Sequence, residues 1–130
     1  MTLPPVTPAR IAEAAKTLEH AAEAAIACRL EGLDYFVACA LLEKESGGRN
    51  VYGSDRGGVL SGYPGEADES NYRVFRWLLA KPGAVSNGVG PTQITFPGYF
   101  TAMESEGLKP WDPTDNCRMG FRLLASCCIS

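Results

Sequence analysis

Along the first quarter of the chain, apolar positions step at three and four residues: Ile11, Ala15, Leu18, Ala22, then Ala25 or Ile26. This spacing gathers them on one helical face, and the stretch from Ala9 to about Leu30 holds neither Gly nor Pro, so one amphipathic helix is predicted from Pro8 to about Leu30. The Pro-rich residues 1–8 read as an extended lead-in. Gly32 breaks the pattern, Asp34 is placed to cap a second helix, and Leu33 before it can act as a hydrophobic staple. Tyr35 to Leu42 is almost wholly apolar, which predicts a short helix buried on most sides and stopped at Gly47-Gly48. Glycines and prolines then crowd residues 47–70, a loop or hairpin pattern. A third helix is predicted from Asp68 or Ser70 to Lys81, and the glycine-broken loop SNGVGPTQIT follows. Pro97 opens a fourth helix closed by Gly107, and Asp112-Pro113 caps and opens the last. The expected class is mainly α (α+β), about five helices with an irregular loop or small β-hairpin between residues 47 and 68.

Composition narrows the function classes. The 130 residues suit one domain across 1–130, and 45% apolar with 21% charged residues is an ordinary globular balance. A net charge of −3 offers no basic stripe for phosphates, so no nucleic-acid partner is expected. No apolar run approaches the roughly 20 residues that span a bilayer, so no membrane partner is expected either. MTLPPVTPAR lacks a basic n-region and a long apolar core, which predicts no signal peptide. The five cysteines, Cys28, Cys39, Cys117, Cys127 and Cys128, show no CxxC spacing and read as reduced thiols, buried where the core takes them. With a single His, read as a surface or packing residue, neither a metal site nor any cofactor is expected.

The segment LLEKESGG brings two acids, Glu43 and Glu45, to the end of an apolar helix. Glu45 continues the face of Ala38, Leu41 and Leu42, and Glu43 that of Phe36, Cys39 and Ala40, so periodicity does not choose between them. A carboxyl beside apolar surface is held protonated by desolvation, as a general acid in glycoside cleavage requires. A solvated charge pair flanking Lys44 is the competing reading.

Three segments carry a resemblance. Glu45-Ser46-Gly47 at a helix end resembles the first motif of soluble lytic transglycosylases and goose-type lysozymes. Gly90-Pro91-Thr92-Gln93-Ile94 resembles their GxxQI motif, and Asp112-Pro113 with Asn116, Gly120 and Leu123-Leu124 resembles the third. The finer wording, VYGSDRGG, ESNY, NGVGPTQIT and PGYF, is similar to the lysozyme-like domain of endolysins from phages of actinobacteria. The resemblance implies a muramidase acting on the β-1,4 bond between N-acetylmuramic acid and N-acetylglucosamine. Its partner would be the peptidoglycan glycan strand. It also implies a monomer held in the host cytoplasm before lysis, and it selects Glu45 as the catalytic acid. Glu43 would be a helper or a surface charge.

A second carboxylate is expected at Asp55, with Ser61 beside it; Glu45…Asp55…Ser61 resembles the Glu…Asp…Thr arrangement of phage-type lysozymes, with one extra residue between the acids. Glu66, Asp68 and Glu69 are further candidates, Asp68 more as a helix cap. Without a positioned partner, one acid suffices for lytic transglycosylation to a 1,6-anhydro product. Gln93 would bind an N-acetyl group or orient Glu45, and Tyr52 and Tyr99, then Tyr63, Tyr72 and Phe96, are the aromatics that would stack on sugar faces, with Trp77 and Trp111 as core or cleft wall. Asn116 reads as a structural capping residue rather than a reactive one. The family continues past its third motif into a helix bearing a substrate-facing Tyr, whereas this sequence stops at Ser130. A truncated or shortened domain, or a glycan-binding module without turnover, is therefore the alternative. A cysteine amidase is disfavoured because no Cys has a His partner in a recognisable motif.

Overall fold

The structure, a computed structural model, describes residues 3–129. It is mainly α, with six helices: α1 (Pro8–Ala14), α2 (Ala21–Glu31), α3 (Tyr35–Glu45), α4 (Glu69–Leu79), α5 (Pro97–Glu106) and α6 (Pro113–Ile129). The count exceeds the expected five because the first predicted helix is two. Thr7 caps α1, accepting from the Arg10 amide at 3.2 Å, and Pro8 occupies its first turn. The chain then turns through residues 15–20, and His20 takes a left-handed backbone conformation at φ 57°. No local breaker causes this turn. Leu18 is drawn into the core, and the Glu19 amide donates to the Gly47 carbonyl at 3.0 Å, so tertiary contacts override helix propensity.

The remaining helix ends follow their local signals. Asp34 accepts from the Phe36 and Val37 amides at 3.0 and 3.3 Å. Asp68 and Asn71 exchange bonds as a reciprocal cap on α4. Gly32 and Gly107 end α2 and α5 in left-handed conformations. Between α3 and α4, and again before α5, the chain is irregular. Isolated bridges tie Val51 to Glu66, Tyr52 to Val89, Gly58 to Val85 and Val89 to Ile94.

The core has two parts, and α6 serves both. Its Cys117 and Phe121 pack with Ala24, Ala27 and Cys28 of α2 and Ala38 and Leu42 of α3. Its Met119 faces the second cluster, with Tyr72 and Phe75 of α4, Phe100 and Met103 of α5, and Tyr52, Val89 and Ile94 from the loops. The alanines let α2 lie close along α6. The expectation that α3 is buried on most sides is corrected. Tyr35, Ala38 and Leu42 form one buried stripe, whereas Phe36 is 72% exposed and Val37 and Ala40 also face outward. Only one face of α3 meets α2 and the core, and the Arg10 guanidinium lies 4.3 Å over the Phe36 ring. Trp77 is likewise neither core nor cleft wall, being 65% exposed with the Lys81 ammonium over its ring, whereas Trp111 packs on Tyr72. No helix among the described residues is long and apolar enough to cross a membrane.

Candidate active site

The buried stripe of α3 runs Ala38, Leu42, and its next member at helical spacing is Glu45, the last residue of the helix. There the core ends and a cleft begins. Glu45 lines a polar cleft of about 380 Å³ together with Arg49, Tyr52, Gly53, Tyr63 and Gln93. Glu43 points elsewhere, into a groove of about 360 Å³ against α1, beside Phe36 and Cys39. The phase of α3 thus separates two acids that periodicity leaves equivalent. Glu45 is exposed, against the expectation of a carboxyl pressed on apolar surface, and has no hydrogen-bond or ion-pair partner among the described residues.

Ser46, buried directly after Glu45, fixes the end of α3. Its hydroxyl donates to the Pro91 carbonyl at 2.6 Å and accepts from the Gly48 amide at 3.1 Å. The first motif is thereby bonded to the second. Arg49 folds back so that Nε donates to the Ser46 carbonyl at 2.8 Å. The opposite wall comes from the segment after Gly90. Gln93 has a left-handed backbone at φ 53°, a conformation costing a non-glycine residue about 1 kcal/mol. Its side-chain amide donates to the Val51 and Gly90 carbonyls, each at 3.0 Å, which offsets that cost. Both amide donors are therefore spent on backbone, and Gln93 holds the wall together rather than bonding Glu45. Its Oε1 lies over Gly53, where a Cβ would sit 2.3 Å away, so only glycine allows this approach.

Tyr52 lines the cleft from a buried position, its hydroxyl donating to Asn71 Oδ1 at 2.7 Å. Burial pushes its phenol well above the ordinary range, with the Asp68 charge adding to the effect, so the hydroxyl remains a donor. Tyr63 stands edge-on to Tyr52 with ring centroids 5.8 Å apart and accepts at its hydroxyl from Asn71 Nδ2 at 3.3 Å.

The other expected site residues lie outside this lining. Asp55 sits behind Gly53 and accepts from the Gly88 amide at 2.9 Å, bracing the wall. Ser61 donates to the Asp55 carbonyl and accepts from Asn87 Nδ2 at 2.8 Å, so its hydroxyl is spent within the loop. Tyr99, 38% exposed at the start of α5, packs against Phe96 at 5.2 Å and is not a cleft residue. Asp68 is a helix cap, and Glu69 pairs with Arg73 at 2.7 Å on the surface of α4. Glu66 turns to Glu19 and His20, whose ligating atoms and its own lie within 4.8 Å of one another. Exposed carboxylates gather in this way without an ion, and the three stand apart from the cleft lining, so they are assigned no metal role.

Sequence reasoning assigned no role to Arg49, Asn71 or Asn87, took Ser46 only as part of a motif, and counted Tyr63 among the weaker candidates for stacking on sugar. Asn87 is fully buried, accepts from the Leu60 amide and donates to the Gly53 carbonyl, closing the 53–61 loop on the 87–93 segment. Only Asn71 carried a local signal, standing three residues after the Asp68 cap. Comparison with protein-family models, with curated proteins and with solved structures finds no match to this chain.

Proposed function

We propose that the protein cleaves peptidoglycan glycan strands at the β-1,4 bond between N-acetylmuramic acid and N-acetylglucosamine, with Glu45 as proton donor. The observation that carries this reading is an unpartnered carboxylate at the end of a buried helix stripe, opening into a polar cleft walled by Tyr52, Tyr63 and Gln93. The exposed Tyr63 ring and the Gln93 Oε1, which the wall leaves as an acceptor, beside a lone acid suit a sugar polymer, whose ring faces stack and whose hydroxyls bond. Glu45 would protonate the bridging oxygen as the C1–O bond breaks. In the muramidase outcome water then adds to C1, assisted by a second carboxylate such as Asp55.

One feature favours the single-acid outcome as a second reading. Glu45 is the carboxylate among the residues lining the cleft, while Asp55 is engaged by the Gly88 amide behind the wall. Glu45, once deprotonated, would then take the proton of the sugar's own 6-hydroxyl as that oxygen closes onto C1, giving a 1,6-anhydro end.

The test is incubation of the protein and of Glu45→Gln with purified cell walls. The variant is expected to lose at least about 100-fold in released fragments, the scale of a general acid, at unchanged melting temperature because Glu45 has no bonded partner. Equal lysis by both removes Glu45 from the role, and binding without fragments from either favours a glycan-binding module. Mass spectrometry of the products separates a reducing end from an anhydro end.

A further inference from the structure

We infer that Arg49 is a carboxylate receptor in the cleft, so that the preferred strand is an anionic one, bearing carboxylates on its sugar substituents, over a neutral N-acetylglucosamine polymer. This rests on the glycan-cleavage reading of the same cleft.

Among the cleft-lining residues, two are charged, Glu45 and Arg49. Arg49 Nε is fixed on the Ser46 carbonyl at 2.8 Å, one residue beyond the acid. That bond uses one of the five guanidinium donors. The four N–H groups of the two terminal nitrogens have no protein partner among the described residues. Arg73, Arg76, Arg118 and Arg122 are, by contrast, committed to carboxylates of the fold. A planar fork held at one nitrogen and open at the other two is the geometry that accepts a carboxylate bidentately.

Charge balance points the same way. The chain carries a net charge of −3. An anionic strand therefore approaches against repulsion, and a local cation beside the acid offsets it where the substrate docks. A neutral polymer needs no such group. Two substituents of peptidoglycan offer a carboxylate: the lactyl group when no peptide is attached, and the stem peptide when one is.

The experiment measures binding in the Glu45→Gln background, so that no ligand is consumed, with and without Arg49→Gln. Three soluble probes are titrated: peptide-free strands with free lactyl carboxylates, the same strands methyl-esterified, and peptide-bearing strands whose lactyl groups are amide-linked. Arg49→Gln is expected to weaken binding about 10-fold for at least one carboxylate-bearing probe, as loss of a charge-assisted pair does, and to leave the esterified strand within about two-fold. Loss on peptide-free strands assigns the lactyl group, and loss confined to peptide-bearing strands assigns the stem. Arg49→Lys, which keeps the charge but not the fork, is expected to fall between. Equal weakening on esterified and free strands, or no weakening on any probe, overturns the inference. Turnover by the wild-type chain is scored separately. If no strand is cleaved while the Arg49 dependence persists, the cleavage reading fails and the receptor stands; if strands are cleaved with no Arg49 dependence of binding, the reverse holds.

Discussion

Asn116→Ala is expected to be among the most damaging single changes in the molecule, although Asn116 lies outside the cleft lining. Its side chain is fully buried near the start of α6 and bonds in four directions. Oδ1 accepts from the Thr92 amide at 3.0 Å and from the Thr92 hydroxyl at 2.8 Å. Nδ2 donates to the Val89 carbonyl at 2.8 Å and to the Pro110 carbonyl at 3.0 Å. Truncation strands these partners unequally. The Val89 carbonyl keeps the Ile94 amide at 3.1 Å, and the Thr92 hydroxyl can fall back on the Asn116 backbone carbonyl at 3.2 Å. The Thr92 amide and the Pro110 carbonyl have no such alternative among the described residues. Two stranded buried groups at about 1–3 kcal/mol each, plus a small cavity, give about 3–5 kcal/mol. That is a large part of the roughly 5–15 kcal/mol that holds a domain folded. Thermal unfolding followed by circular dichroism is expected to show a fall of about 10–20 °C, given about 3–5 °C per kcal/mol at this size. Asn116→Asp keeps the acceptor but loses both donors and buries a charge, so it is expected to be no better. A fall under about 3 °C for Asn116→Ala would refute the reasoning.

Further outcomes follow from the same geometry. Ser46→Ala removes the bond to the Pro91 carbonyl, and is expected to cost about 1–3 kcal/mol by urea unfolding and to lower activity as well; a stable variant with full turnover would show that the clamp does not matter. Glu31, with its side chain 9% exposed, is held below the usual carboxylate range by its hydrogen bonds to Arg122 and then Arg118. Its folded value is the depressed one, so its stabilising contribution is present above the unfolded value, near 4.5, and is lost as pH falls through the folded value. Glu31→Gln is therefore expected to destabilise at pH 7 and to flatten the decline of melting temperature below about pH 4.5; an unchanged acid limb would contradict this. Burial pushes the Cys117 thiol far above its ordinary range, so iodoacetamide is expected to label it only in denaturant, read by mass spectrometry of the labelled peptide.

Much of the helical frame was legible because its signals are local. A cap needs only its own side chain and amides two or three residues on, and Asp34, Asp68 and Asp112 behave that way. The break between α1 and α2 was not legible, because its causes, the Gly47 carbonyl and the pocket for Leu18, lie outside the segment. The outward face of α3 escaped notice for a related reason. Hydrophobicity says that Phe36 and Val37 would gain from burial, but nothing in the segment says whether a neighbour is there to bury them. In the site, local reading left Glu43 and Glu45 equivalent; the motif resemblance singled out Glu45 and Gln93, which the structure brings with Tyr52 into one cleft. Neither reached the fates of Asp55 and Ser61. Each is a small polar residue in a glycine-rich loop, and its partners, Gly88 and Asn87, lie more than two dozen positions downstream.

The arrangement divides its polar residues by whether their bonds are already spent. Ser46 binds the Pro91 carbonyl from α3, Asn116 binds Val89 and Thr92 from α6, and Asn87 and Asp55 bind the loop between them. All converge on the short segment 87–93, which supplies Gln93 to the cleft. A segment held from three sides cannot follow a substrate, so it presents a fixed wall whose bonds are made before any ligand arrives. Glu45 and the terminal nitrogens of Arg49 are the opposite case, charged groups on that rigid frame with no partner of their own among the described residues. Folding gains little from either one. Glu45 at the end of the buried helix stripe and Arg49 in the turn beyond it line one cleft, where the proposed ligand would supply their partners, whereas Glu43 lines the separate groove against α1.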